Sequence, residues 1–415
     1  MNTVTPEEVG FSASRLSRIG TWMQGYIDQN KLAGTIAMVA RCGKVAYLER
    51  FGMMDLEAAK PMQFDTIFRI YSMTKPVTSV ALMMLYEEGR FQLHDPVLRF
   101  IPEFADVKVF AGATEEGFGV TELEREITIW HLLTHTAGLT YDFSEDSPVD
   151  AMYRETEIFS PLGVLQVPLQ EMIQRLVKLP LTHQPGTAWR YSMATDVLGY
   201  LIEVISGMSL DVFFEDKILK PLGMEDTDFY VPEAKLDRFA AMYGPSTPLR
   251  TGSGQAPTEN GGIELLDAPA TSPYSKPTRF LPGGVGLVST APDYMRFAQM
   301  LLNGGELDGT RLLGRKTVEL MTINHLPDEL IPIQVQPHTL HGYGFGLGFH
   351  VLVNVAQTGR LGSEGEFGWG GAAETSFFVD PKEQLIGLLL TQLMPSLYYP
   401  IRDEFKVLVY QALVD

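Results

Sequence analysis

Cysteine is almost missing from this chain: the single thiol, Cys42, cannot close an internal disulfide, and no Cys/His cluster has the spacing of a zinc site. A disulfide-stapled module is excluded, a metal enzyme is not expected, and no cofactor is called for. Cys42 ends an apolar run that reads as a strand reaching a turn, where a small, half-buried residue needs no chemical role. No stretch approaches 18 uninterrupted apolar residues, so no membrane-spanning helix is expected. The N-terminus, Met-Asn-Thr-Val-Thr-Pro-Glu-Glu, has neither the basic nor the apolar segment of a secretion signal, and the chain reads as cytoplasmic. Basic runs are absent as well. With 32 Lys and Arg against 51 Asp and Glu the formal net charge is −19, a field that repels nucleic acid.

What is present suffices for a large fold. Hydrophobic cores stop growing near about 250–300 residues, so 415 residues imply two lobes or one domain with a large insertion. Residues 12–30 carry Leu16, Ile19, Met23 and Ile27 at helical spacing behind Ser12, a plausible N-cap. The runs 35–41 and 44–49, separated by Cys42-Gly43, predict a hairpin. Residues 72–89 predict a helix apolar almost all round, which belongs in a core. Helical segments are expected at 129–135, 165–178, 195–206 and 211–219, and a long surface excursion at 245–276. Strand patterns return at 346–353, 374–379 and 385–391, before a closing helix at 401–413. The order strands, helices, strands implies an α/β domain built from 1–97 and 271–415, sharing one sheet, with 98–270 a mostly helical inserted domain.

The chemical signal heads the apolar helix, in Tyr71-Ser72-Met73-Thr74-Lys75-Pro76. Residues three apart share a helix face, so Ser72 Oγ and Lys75 Nζ come within hydrogen-bond reach. A serine hydroxyl is a weak nucleophile and needs an adjacent base, a part that lysine can take when its ammonium is desolvated. At a helix N-terminus, the Ser72 N–H also points toward developing negative charge. Ser-x-x-Lys alone is commonly an N-cap and a surface lysine. A turn from Gln184 to Trp189 leads to Tyr191, which could carry protons at a loop-to-helix junction or simply pack its ring. Later, Trp369-Gly370-Gly371-Ala372 precedes a strand, and paired glycines at a strand edge admit a ligand close to the backbone, or mark a bulge. His131 and His135, four apart, lack the glutamate and third ligand of a metal site and read as structural.

Taken together, Ser72-Met-Thr-Lys75, the Ile127 to Leu139 segment Ile-Thr-Ile-Trp-His-Leu-Leu-Thr-His-Thr-Ala-Gly-Leu, Pro185-Gly to Tyr191-Ser192, Gly283-Gly-Val-Gly-Leu-Val-Ser289-Thr and Trp369-Gly-Gly371 resemble the serine β-lactamase superfamily. More narrowly, the chain is similar to the class C β-lactamase-like esterases called family VIII carboxylesterases, and to related fungal acyltransferases. The resemblance runs in order from about residue 10 to 400. It implies a β-lactamase/transpeptidase-like α/β (α+β) fold: a central antiparallel sheet flanked by helices plus an all-helical domain, with the site between them. It further implies Ser72 as nucleophile, Lys75 as its activating partner, Tyr191 as proton shuttle, the backbone N–H groups of Ser72 and Ala372 as oxyanion hole, and Trp369, Gly370 and Gly371 against the substrate. Which of Lys75 and Tyr191 is the base stays open, since such a pair titrates together.

Two departures narrow the reading. β-Lactamases of this class carry Tyr-x-Asn and Lys-Thr-Gly where this chain has Tyr191-Ser192-Met193 and Trp369-Gly370-Gly371. Each lost hydrogen bond to a charged group costs about 1.5–3 kcal/mol, so two weaken β-lactam turnover by roughly two to four orders of magnitude. An uncharged ester needs neither contact, and Trp369 offers a flat apolar wall. No Gly-x-Ser-x-Gly segment is present to suggest an α/β-hydrolase triad. The expected activity is hydrolysis of short- to medium-chain carboxylic esters through an acyl-Ser72 intermediate, acting on a small-molecule ester with no nucleic-acid or membrane partner. The alternatives are acyl transfer to an alcohol on the same fold, β-lactamase or D-aminopeptidase activity, and a catalytically silent binding protein. Homo-oligomerisation is left open.

Overall fold

The computed structural model describes residues 3–114, 117–156, 158, 167–246, 262–335 and 337–415. Its centre is an eight-stranded sheet drawn from both chain ends. Its strands are β1 (Gly34–Arg41), β2 (Lys44–Asp55), β3 (Lys60–Pro61), β4 (Tyr343–Phe345), β5 (His350–Leu352), β6 (Phe367–Gly370), β7 (Ser376–Asp380) and β8 (Leu385–Thr391), in the spatial order β4-β5-β6-β7-β8-β1-β2-β3. The two chain ends meet where β1 pairs antiparallel with β8, Thr35 opposite Thr391 through Arg41 opposite Leu385. Successive side chains of a strand face opposite ways, and here both faces are covered. Ile36, Met38 and Ala40 of β1 with Ile386, Leu388 and Leu390 of β8 enter one core; Ala37 and Val39 with Leu385 and Leu389 enter a second. Burial on both faces is why these strands read as unbroken apolar runs.

The second core lies under α1 (Arg18–Asp28) and the C-terminal α6 (Ile401–Tyr410). The larger core contains α2 (Thr74–Glu87), whose residues from Thr74 through Met83 are all buried, together with α3 (Ile129–Leu133), α4 (Ala194–Ser206) and α5 (Ala291–Leu302). The expected α+β architecture is thus present, a large antiparallel sheet with helices on it. Among the described residues no single helix is long and apolar enough to cross a membrane.

Several local expectations need correction. The helix expected at 12–30 breaks at Ser17 into Ala13–Leu16 and α1. The strand expected at 346–353 is a hairpin, since Gly346 N donates to Phe349 O and only His350–Leu352 continues as strand. Gly348 permits this turn with φ +98, and a Cβ there would lie 2.1 Å from Ser79 Oγ. Cys42 is exposed rather than half-buried, at φ +51 in the β1–β2 turn. Between 98 and 270, hairpins at Val109–Thr114 with Gly117–Thr121 and at Met242–Pro245 with Ile263–Asp267 accompany the helices. The helical expectation at 165–166 and residues 247–261 of the surface excursion lie outside the described residues.

Candidate active site

Ser72 is aimed by its neighbours. A short strand, Phe68–Arg69, pairs with Val288–Ser289, and Ile70 N donates to Leu287 O. Arg69 is wholly buried and anchors the approach, with Nη2 2.5 Å from Asp267 Oδ2 and Nη1 donating to Ala240 O at 2.7 Å. Tyr71 then adopts φ +43, a left-handed conformation that costs a non-glycine residue about 1–3 kcal/mol. It is held there by burial, its hydroxyl 3.4 Å from Met242 Sδ. The chain turns through Tyr71–Met73 into α2, leaving Ser72 at the helix N-terminus, 8 % exposed.

The structure brings together all three side chains that the motifs singled out. The Tyr191 hydroxyl donates to Ser72 Oγ at 2.7 Å, and Lys75 Nζ lies 3.3 Å from the same oxygen. Lys75, 1 % exposed, also donates to Tyr141 Oη and to the Gly284 carbonyl, each at 2.9 Å. Its ammonium sits 4.7 Å from the Tyr191 ring centroid and 5.3 Å from that of Tyr141. Tyr191 occupies the loop before α4. Its neighbour Arg190 fixes that loop through both oxygens of the buried Asp150 at 2.9 Å and through Thr140 Oγ1 at 2.8 Å.

Sequence reasoning passed over two residues of this cluster. Tyr141 follows the quoted Ala-Gly-Leu139 segment by two residues, and Asp196 lies in the first turn of α4. Asp196 Oδ1 accepts from Gly284 N at 2.9 Å, while Oδ2 is buried without a donor among the described residues. Burial pushes the Asp196 carboxyl above its ordinary range, and the Lys75 charge pulls it back. Burial likewise raises Tyr141, with Asp196 adding to the effect. The signal was available only as order along the chain, because a tyrosine two places after a turn and an aspartate inside a helix have no periodic signature. The Gly283-Gly284 segment enters the sequence reading only as part of the resemblance; its role is to present carbonyls, Gly284 O to Lys75 and Gly283 O to Thr78 Oγ1 at 2.6 Å.

Opposite the serine, β6 ends at Trp369-Gly370 and the chain turns through 371–375 into β7. Gly371 lies against the residue two places before Ser72: a Cβ on it would stand 2.3 Å from Ile70 O. Thr375 Oγ1 donates to that carbonyl at 3.4 Å. Only glycine admits so close a backbone approach, which brings the Ala372 segment to the serine turn. Trp369 is 5 % exposed, its ring 5.4 Å from Tyr191 and 5.4 Å from Phe345. His135 packs 5.2 Å from the Tyr191 ring and bonds Ser192 Oγ through Nδ1 at 3.1 Å. Phe143, half exposed, stacks on Tyr141 at 4.7 Å. The cluster is therefore a buried serine–lysine–tyrosine constellation walled by aromatic rings, suited to attack on a carbonyl carbon by an activated hydroxyl.

Fold and cluster together define the class, the β-lactamase/transpeptidase-like proteins. Residues 19–411 match the Beta-lactamase family model, and the chain belongs to that family. An uncharacterised protein of Mycobacterium tuberculosis is 37% identical over 380 residues, covering 89% of this chain and 88% of its own. Esterase EstB of Burkholderia gladioli is 32% identical over 385 residues, covering 92% and 91%. Among solved structures, EstCE1, described as a hydrolase with promiscuous acyltransferase activity, superposes with a TM-score of 0.78 at 28% identity, covering 96% of this chain and 99% of that one.

Proposed function

We propose that the protein is a serine carboxylesterase, of the kind grouped as family VIII, acting on short- to medium-chain esters through an acyl-Ser72 intermediate. The observation that carries this reading is the convergence of Tyr191 Oη and Lys75 Nζ on Ser72 Oγ at 2.7 and 3.3 Å. In acylation, Ser72 Oγ bonds to the ester carbonyl carbon as its proton passes to the Tyr191–Lys75 pair. The carbonyl π electrons move onto oxygen, where the N–H groups of Ser72 and Ala372 receive the charge. Collapse breaks the bond to the alcohol oxygen, which takes up the proton and leaves. Water then adds to the acyl carbon, gives its proton to the pair, and Ser72 recovers a proton as the acid departs.

Relatives support ester chemistry: one bears the name esterase and another is described as a hydrolase with acyltransferase activity. The aromatic walls from Trp369, Tyr191 and Phe345 suit an apolar acyl or alcohol group. The position of the asparagine in Tyr-x-Asn is filled by Met193, wholly buried, and that of the lysine in Lys-Thr-Gly by Trp369. Both changes disfavour a β-lactam. The EstCE1 likeness favours acyl transfer as a second outcome of the same intermediate, an alcohol replacing water.

The test compares p-nitrophenyl butyrate with nitrocefin on wild type and Ser72→Ala. Ester turnover well above nitrocefin turnover and lost in Ser72→Ala is the expected result. Turnover that survives in Ser72→Ala would refute the mechanism, and failure of a fluorophosphonate to label native Ser72 would leave a binding protein. Adding 1-butanol and measuring butyl butyrate against butyric acid separates transfer from hydrolysis.

A further inference from the structure

The turn that carries Ala372 is held from behind by an ion pair between a buried carboxylate and a half-buried arginine. Gly371 N donates to Thr375 O at 2.8 Å and Glu374 N to Gly371 O at 3.2 Å, closing residues 371–375 into a tight loop. Glu374 sits at φ +65, a strained conformation for a side chain of its kind, and is wholly buried. Its Oε2 accepts from the Leu397 amide, and its Oε1 is ion-paired with Arg402 Nε at 2.7 Å without the alignment of a hydrogen bond. Arg402, in the first turn of α6, then reaches across the loop, and its Nη2 donates to the Gly371 carbonyl at 2.6 Å.

That carbonyl and the Ala372 N–H belong to one peptide unit. The unit is planar and trans, so its C=O and N–H point in opposite directions. A guanidinium that pins the oxygen on the α6 side therefore turns the N–H to the other side. The positive charge at the carbonyl end also polarises the peptide, making its N–H a stronger donor.

We infer that Arg402, braced by Glu374, is a positioning residue that orients the Gly371–Ala372 peptide so that the Ala372 N–H serves the oxyanion formed at Ser72. This rests on the acyl-enzyme reading above. Such a clamp acts on the tetrahedral state and not on ground-state binding, and this separates it from a merely structural ion pair.

The experiment measures kcat and KM for p-nitrophenyl butyrate and the inhibition constant of phenylboronic acid on wild type, Arg402→Met, Arg402→Lys and Glu374→Gln. Phenylboronic acid accepts the Ser72 oxygen at boron, gives a negatively charged tetrahedral centre and leaves the serine proton with the Tyr191–Lys75 pair. Loss of one oxyanion donor costs about 100- to 1,000-fold, so a donor left in place but misaimed should cost about 10- to 100-fold in kcat. Arg402→Met is expected to show that loss with KM within about threefold and a parallel weakening of phenylboronic acid. Arg402→Lys, retaining charge without the fork, should fall between, and Glu374→Gln should weaken kcat in the same sense. Folded variants with the wild-type kcat and boronate inhibition would overturn the clamp. Should Arg402→Met fail to fold, Arg402→Lys and Glu374→Gln decide by the same criteria. A wild type without ester turnover would bring down the functional reading and this inference together; a working wild type with unaffected variants would bring down the clamp alone.

Discussion

Lys75 is the residue on which the site's contacts converge, and they divide its work between two tyrosines. The Tyr191 hydroxyl bonds the nucleophile, whereas the Tyr141 hydroxyl bonds the lysine. Removing the hydroxyl in Tyr191→Phe takes a proton carrier from the reacting oxygen, and general acid–base groups are worth about 100- to 10,000-fold. Tyr141→Phe removes one of the three bonds described for Lys75 Nζ, leaving Gly284 O and Ser72 Oγ. A hydrogen bond to a charged group is worth about 1.5–3 kcal/mol, so about a 10- to 100-fold loss in kcat is expected there. Stopped-flow acylation of both variants checks the ranking. Tyr141→Phe proving the more damaging would mean that Tyr141, not Tyr191, carries the proton.

At the scale of elements, the legible parts of the chain were those with a period or a punctuation mark. The β1–β2 hairpin announced itself through apolar runs flanking Cys42-Gly43, and α2 through apolar side chains all round. Helix α5 (Ala291–Leu302) went unread although Thr290 caps it, its side chain accepting from Asp293 N. What could not be read was junction geometry. Gly283 is the case in point: it sits where α2, α4 and the 283–284 segment of backbone cross, and a Cβ on it would stand 2.7 Å from Thr195 O, 3.1 Å from Thr78 Cγ2 and 3.2 Å from Gly199 Cα. Pattern gives no hint that three segments meet there. Because the obstructing atoms include backbone, Gly283→Ala must shift a helix or the loop, an overpacking cost of about 1–3 kcal/mol. The shift also moves the Gly284 carbonyl off Lys75. The expected result is a lower melting temperature together with reduced ester turnover. A Gly283→Ala variant with wild-type values in both would show that the junction has slack.

Over the whole molecule, burial of histidine ties stability to pH. His135 is 1 % exposed at φ +56, and burial first, then the charge of Lys75, hold its imidazole well below its ordinary value of 6.5. The folded chain thus keeps His135 neutral at a pH where the unfolded chain protonates it. A depressed folded value contributes stability that is present above the unfolded value of 6.5 and is lost as pH falls below it toward the folded one, at about 1.4 kcal/mol per pH unit. Buried carboxyls run the other way: Asp228 and Asp293, raised to about 6 by burial, favour the folded state more as pH falls through that range. The net curve mixes the two signs, so the histidine is isolated by difference. Asparagine tolerates the left-handed conformation and can keep a polar atom near Ser192 Oγ, which makes His135→Asn the variant to use. Between pH 7.5 and pH 5 the wild type should lose about 2 kcal/mol more than His135→Asn, read as a divergence of the two chemical-denaturation curves on acidification. Curves that stay parallel would mean that His135 takes up its proton within the fold, beside Lys75, and that the aromatic wall behind Tyr191 is more open to solvent than its burial implies.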